Sequence, residues 1–286
     1  MAGNDYGWYP GHMAKSIRAI RDELKLVDLC IEVLDARVPL SSRNPDIDDL
    51  ASGKFRLIVL GKSDLADENK TAKWVDHFKS KGIETLSVCS RDKKTSDEIK
   101  KAALKVCAEK IERDKKRGIV GRPLRAMVCG IPNVGKSTLI NTITKKSPTK
   151  TGNKPGVTRS NQWVKTSMGL DLLDTPGLLW PKYEDKSVGF RLAVIGSVND
   201  QVINTTQLAF ETVDLLKDIY PGLLTSKYGC DESLKGEDII KAVGIKNGIL
   251  SKGGEVDIDR SSDQLLLDLR GGRLGRLTLE VATDNE

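Results

Sequence analysis

No C-x-x-C pair occurs in this 286-residue chain, and its five cysteines (Cys30, Cys89, Cys107, Cys129, Cys230) are odd in number and widely scattered. That pattern argues against a zinc ribbon or a disulfide framework and predicts a reduced, cytoplasmic protein. No apolar run approaches the roughly 20 residues needed to cross a bilayer, so no membrane partner is expected. The opening "MAGNDYGWYPGHMAKS" lacks the apolar centre of a secretory signal. No heptad seam is present, which favours a monomer. What is present describes a globular protein: 38% hydrophobic and 30% charged residues. The length suffices for one large domain and a smaller one.

The net charge of +6 is unevenly spread. Residues 144–165 contain Lys145, Lys146, Lys150, Lys154, Arg159 and Lys165 and no acid. Residues 105–125 set eight basic residues against Glu109, Glu112 and Asp114. Each run reads either as a solvated face or as a surface for a polyanionic partner.

The segment "RAMVCGIPNVGKSTLINTI" carries the sharpest signal. A short apolar strand over 125–129 leads through Gly130-Ile-Pro-Asn-Val-Gly-Lys136-Ser137, which fits G-x-x-x-x-G-K-[ST], into a helix from Lys136. Glycines let the backbone curl so that its N–H groups and the helix N-terminus face phosphates. Asn133, Val134, Gly135, Lys136, Ser137 and Thr138 form the expected phosphate-binding stretch. Within it Lys136 would reach the β- and γ-phosphates, and the Ser137 hydroxyl would ligate Mg²⁺. Downstream, "MGLDLLDTPG" reads as a strand ending at Asp174, a candidate for the Mg²⁺ shell, followed by Gly177, whose N–H would meet the γ-phosphate. Between the two lies a Gly/Pro/Thr-rich basic loop. Its Thr158 is either a further Mg²⁺ ligand or only a loop residue.

A guanine pocket usually supplies N/T-K-x-D after a later strand. Here nothing of the kind follows Gly177. "FRLIVLGKSDLAD" comes earlier, a strand leading into Gly61-Lys62-Ser63-Asp64. A helix over 67–80 follows, then a strand in "IETLSVCSRD" with a polar loop at Cys89 and Ser90. The base loops therefore precede the phosphate loops, and the domain reads as circularly permuted. A permutation is allowed because a parallel sheet depends on spatial strand order, and the new link joins surface ends. A single charged helix over 93–117 and the linker "GIVGRP" are expected to form that link. Residues 27–39 supply the first strand, with Asp35 and Arg37 at its end paired to each other.

Gly61 stands where Asn or Thr is usual. It removes a side chain that ties the base loop to the phosphate loop, worth about 0.5–1.5 kcal/mol. Asp64 can still accept from guanine N1–H and N2–H₂ at roughly 1.5–3 kcal/mol each, which adenine cannot match. GTP is therefore expected over ATP, at reduced affinity.

With these residues assembled, the chain resembles the circularly permuted ribosome-assembly GTPases of the RbgA (YlqF) type. The resemblance rests on "WYPGHMAKS", "LDARVPLSSRNP", "GKSD", "GIPNVGKSTLIN", "PGVTR", "DTPGLLWPK", "LAVIGSVNDQVI" and "GGRLGRLTLE" and covers nearly the whole chain. It implies an α/β fold: a permuted P-loop GTPase domain with a mostly parallel six-stranded sheet flanked by helices over 1–182, including an N-terminal helical arm at 8–25. A smaller, mainly helical RNA- or ribosome-binding domain over 183–286 would follow. It implies a GTPase that binds a late precursor of the large ribosomal subunit, is stimulated by that subunit and leaves on hydrolysis. The alternative is a GTP-dependent RNA clamp whose hydrolysis is incidental.

The D-x-x-G segment is followed by Leu178, Leu179 and Trp180, none of which can orient a water by its side chain. The resemblance implies that His12 takes that role beside Lys136 and Gly177, and that Asn133 helps hold K⁺. The residues alone leave His12 as a docking residue near Trp8 and Tyr9, and Asn133 as a group that bonds its own loop. His77, in a charged helix, reads as a surface residue. Beyond residue 183 the pattern is helical, with Leu208, Val213 and Leu216 at core spacing and neither an acid–base pair nor a metal cluster. Arg270, Arg273 and Arg276 read either as phosphate contacts for rRNA or as a solvated basic end.

Overall fold

The computed structural model describes residues 21–144, 162–166, 169–177 and 185–282. His12, Thr158, the 182/183 boundary, residues 178–184 and most of the 144–165 basic run lie outside the described residues, as does the N-terminal arm up to residue 20.

Six strands form one sheet: β1 (Leu29–Asp35), β2 (Phe55–Gly61), β3 (Glu84–Ser87), β4 (Leu124–Cys129), β5 (Gln162–Val164) and β6 (Leu170–Asp174), in the order β3-β2-β1-β4-β6-β5. All neighbours run parallel except the β5–β6 edge pair. The β1 strand is buried along its whole length, as a strand covered on both faces must be. Its one charged interior residue, Glu32, pairs through one carboxylate oxygen with Arg56 at 2.8 Å, while its other oxygen is buried without a hydrogen bond.

The strand order reverses between β1 and β4. In an open α/β sheet that switch point opens a crevice at the carboxyl ends of the strands, where ligands bind. Helices α1 (Asp46–Leu50), α2 (Glu68–Ser80), α3 (Thr95–Val106), α4 (Ala108–Lys116) and α5 (Lys136–Thr144) connect the strands. The α2 helix starts at Asp67, whose carboxylate accepts from the Lys70 N–H, and buries Trp74 and Phe78. His77 is half-buried with its ring 5.2 Å from Trp74 and 5.4 Å from Phe78, so it is a packing residue and not the surface group its charged neighbours suggested.

The single helix expected over 93–117 is two. Ile99, Ala102, Ala103 and Cys107 form a buried stripe, and the chain turns at Cys107 (φ −93°, ψ 12°) into α4, which buries nothing. The stripe of buried residues stops there, and past it only one apolar side chain, the partly buried Ile111, keeps α4 against the core. The first strand is likewise shorter than 27–39, because the chain turns at Ala36, with Val38 N closing back on Asp35 O.

Past residue 185 come α6 (Lys186–Val194), α7 (Thr205–Ile219), α8 (Leu223–Tyr228), α9 (Gly236–Asn247) and α10 (Ile258–Arg270). Asn204 caps α7 through the Gln207 N–H, and Leu208, Val213 and Leu216 are fully buried, each contributing about 1.5–3 kcal/mol. Apolar residues of these helices join those on one face of the sheet in a continuous core. After turns at 271–274 the chain returns, without regular structure up to 282, to the carboxyl end of β1 and the start of α2.

Candidate active site

The phosphate loop is shaped by close backbone approaches. Gly130 has φ +143°, and a Cβ there would sit 2.3 Å from the Val33 carbonyl oxygen. Gly177 meets the same loop from β6: a Cβ would lie 2.6 Å from Pro132 N. The Thr175 hydroxyl donates to Val128 O at 2.9 Å and fixes that approach. The parallel register pairs Val128 with Asp174, so the end of β6 reaches the start of the loop.

At the head of α5, Lys136 is buried and its ammonium donates to Gly130 O (3.0 Å) and Ile131 O (2.8 Å). Burial pushes its pKa down to about 8, against the raising influence of Asp174 and Cys129. The Ser137 hydroxyl lies 3.5 Å from an Asp174 carboxylate oxygen, and Asp174 itself is buried. A hydroxyl beside a buried carboxylate is an all-oxygen donor set suited to a hard divalent cation such as Mg²⁺, which also draws ligands from phosphates and water. Val134 is buried and Gly135 half-buried, while Thr138 is exposed on the first turn of α5.

Asn133 adopts a left-handed conformation (φ 61°), and its side-chain amide donates to Gly196 O at 2.7 Å. This bond ties the phosphate loop to the turn after α6. Ser197 adds a second tie from that turn, donating to Pro132 O at 3.0 Å.

The loop expected to read the base, 61–64, begins at the end of β2. Ser63 N donates to Val88 O at 3.2 Å, which brings the loop at 61–64 beside Cys89 and Ser90. The Cys89 carbonyl accepts from Thr95 Oγ1, and the Ser90 carbonyl accepts from Thr142 Oγ1 on α5, so the second base loop is anchored to the phosphate helix. Asp64, the expected guanine acceptor, is exposed. Gly61 abuts the phosphate loop: a Cβ there would fall 3.3 Å from Val134 O. Where a longer residue would bridge the two loops, the backbones meet nearly directly.

Lys62 (φ 57°) donates to Asp35 Oδ2 at 2.9 Å. The β1–β2 register sets Asp35 beside Gly61, and Arg37 grips the same carboxylate through two bonds of 2.8 Å. Burial alone would raise the Asp35 carboxyl, but the Arg37 and Lys62 charges outweigh it and hold the group well below the usual carboxylate range. The pairing of Asp35 with Arg37 is as expected; its extension to Lys62 is not.

A family model described as a 50S ribosome-binding GTPase matches residues 125–226. The Ribosome biogenesis GTPase A of Bacillus cereus is 45% identical over 277 residues, covering 96% of this chain and 93% of that protein. That of Thermotoga maritima is 32% identical, covering 97% and 95%. Among solved structures, GNP-bound YlqF from T. maritima superposes with a TM-score of 0.67 at 27% identity, covering 93% of this chain and 98% of that one. The chain belongs to the ribosome biogenesis GTPase A family.

Membership makes it a circularly permuted GTPase; its phosphate loop follows β4, and the loops expected to bind the base follow β2 and β3. Against that family background three side chains that read as free cations are committed. Arg270 forks onto Asp200 (2.7 and 2.8 Å) and onto the Ala193 and Val194 carbonyls that end α6. Arg273 pairs with Asp268, and Arg276 with Glu68 and two base-loop carbonyls. Arg270 and Arg276 tie the C-terminal segment to the rest of the chain, while Arg273 and Arg276 remain about half exposed, so the reading as a solvated basic end holds in part. Sequence reasoning did not connect Asp35 with Lys62 of the loop expected to bind the base. The signal available was its place at the carboxyl end of the strand next to the switch point.

Proposed function

We propose that this GTPase binds a late precursor of the large ribosomal subunit and leaves it when GTP is hydrolysed, turning over slowly until the subunit stimulates it. The observation that carries the enzymatic part is the convergence of Lys136, Ser137, Asp174 and Gly177 opposite the loop ending in Asp64. The name its relatives carry, ribosome biogenesis GTPase, supports the assembly part.

In this reading the N–H groups of 133–138 hold the phosphates, and Lys136 exchanges its two carbonyls for phosphate oxygens. Asp64 reads the guanine edge in a pocket walled by Lys62, Ser63, Cys89 and Ser90. Ser137, Asp174 and Thr158 would hold Mg²⁺, which when bound neutralises charge building on the phosphates. Asn133 would help hold K⁺; its amide nitrogen faces Gly196 O, which can only accept, so its carbonyl oxygen is directed away from that turn. His12 orients the attacking water, a contribution of about 10²–10⁴-fold. Residues 183–286 form the partner-binding part.

The test is the GTP turnover rate in K⁺ buffer with and without large ribosomal subunits, for the parent and His12→Ala. Strong stimulation abolished by His12→Ala, with GTP and subunit binding intact, is the expected result. Stimulation that survives the substitution would move the water-orienting role elsewhere. Absence of stimulation would favour an RNA clamp with incidental hydrolysis.

A further inference from the structure

The base loop is held from two sides, and only one of them belongs to the sheet. Beneath it, Asp35 takes the Lys62 ammonium and is itself gripped by Arg37. Above it runs segment 271–280, turns followed by an irregular stretch, from far along the chain. Arg276 donates to Ser63 O at 3.1 Å and to Ala66 O at 2.8 Å, and its third contact is the Glu68 carboxylate at the start of α2. Leu277 N adds a backbone bond to Leu65 O at 2.9 Å. Thr278 accepts from Asp67 N and donates to Ala36 O, so it links the loop to the end of β1.

The two supports also meet. Leu279 N donates to Arg37 O at 2.7 Å, and Arg37 Nη1 donates to Arg270 O at 3.3 Å. The Arg270 side chain in turn closes on the turn whose Gly196 carbonyl receives Asn133 of the phosphate loop. The space is tight: a Cβ on Gly272 would come 2.7 Å from a Leu65 methyl. The bonds from Arg276, Leu277 and Thr278 converge on residues 63–68, the stretch that aims the exposed Asp64.

We propose that segment 271–280 is a positioning strap for the guanine loop, with Arg276 as the residue that fixes the direction of Asp64. The inference rests on the reading of Asp64 as the guanine acceptor. Gly61 gives the loop no side chain with which to brace itself on the phosphate loop, and the strap supplies that bracing from outside. A partner that engages 271–280 thereby changes guanine-nucleotide affinity, and bound nucleotide changes partner affinity by the same factor.

The experiment compares GTP and ITP affinity by equilibrium titration for the full chain, Arg276→Gln and Thr278→Val, with thermal unfolding of each. ITP lacks the N2 amine, so the GTP-to-ITP ratio reads how well the Asp64 carboxylate is aimed. That ratio is insensitive to a general loss of stability. The side chain of Arg276 is 48% exposed, so its replacement leaves the core intact. Arg276→Gln is expected to weaken GTP about five- to tenfold and ITP much less; Thr278→Val should move the ratio the same way by a smaller factor. A parent-like ratio in both variants, whatever their unfolding temperatures, overturns the proposal.

Asp64→Asn is the control on the underlying reading. It should shift preference from GTP to XTP, whose C2 carbonyl accepts from an amide where guanine donates. If no such shift occurs, the guanine-site reading fails and the strap proposal goes with it. If the shift occurs but the ratio in the strap variants does not move, the strap proposal alone fails.

Discussion

The phosphate loop and the guanine loop are separated by a few ångströms at Gly61 and Val134, yet they are held by different physics. The phosphate loop is held by what is missing: side chains at Gly130 and Gly177, whose absence lets Val33 and Pro132 approach. Its shape follows from backbone geometry and needs few charges beyond Lys136. The guanine loop is held by what is added: a buried carboxylate, two cations and a strap from more than 200 residues away. A site built on backbone is stiff and local. One built on side chains is adjustable and can be governed from a distance.

Breaking the added supports should have the largest effect. Asp35→Asn leaves the charges of Arg37 and Lys62 uncompensated in a largely buried place, and removal of one member of such a group costs about 3–5 kcal/mol. Urea unfolding should show that loss, and base selectivity should fall with it. A shift under about 1 kcal/mol would mean the triad is not what holds the loop.

On the other side of the crevice, Gly177→Ala forces a methyl against Pro132 and should cost about 1–3 kcal/mol. The expected mark is a loss of triphosphate affinity with the GTP-to-ITP ratio preserved, seen by titration. If the ratio changed too, the two loops would not be separately held.

The Lys136 ammonium sharpens the contrast through pH. Its pKa is about 8 in the folded chain against 10.5 unfolded, so the unfolded chain binds more protons between those values. Stability without nucleotide should therefore rise with pH across that window on account of this group. Phosphate requires the charged form, so GTP binding should take up a proton above pH 8 and weaken by up to about tenfold per pH unit. Calorimetric titration at about pH 8.5 in buffers of different ionisation heat would detect the uptake, and binding with no proton linkage would remove Lys136 from the phosphate site.

The smallest effect is expected where the loops touch. Gly61 has no positive φ, and an added Cβ would press only lightly on Val134 O and Leu34 O. Gly61→Asn should restore a bridging hydrogen bond worth about 0.5–1.5 kcal/mol, less the cost of that contact, and tighten GTP a few-fold. Weaker binding would show that the direct backbone approach is itself the better bridge.

Much of this was legible in the chain. The phosphate loop could be read because its chemistry is consecutive, and the base loop because an apolar strand points straight into Lys62 and Asp64. The permuted order followed from those two positions alone. Asp35 was seen as half of a pair, since Arg37 is two residues away, but Lys62 lies 27 residues off and gave no local cue. The three C-terminal arginines misled in part, for a related reason: most of their acceptors are carbonyls and carboxylates remote in sequence. The break at Cys107 was within reach, because the buried stripe of α3 ends there while the charge pattern runs on. His77 sat among charges, and only the helix phase shared with Trp74 and Phe78 told against exposure.

The Glu280 carboxylate accepts from Leu40 N at 2.7 Å, across a separation of 240 residues. Closing a loop of that length costs on the order of 5 kcal/mol in chain entropy before the contact returns anything, whereas β4 and α5 are adjacent in the chain. The strap is therefore expected to seat late in refolding, after the cradle built on β4 and α5. On that expectation triphosphate binding returns before discrimination between bases, which a refolding time course followed with GTP and ITP would show.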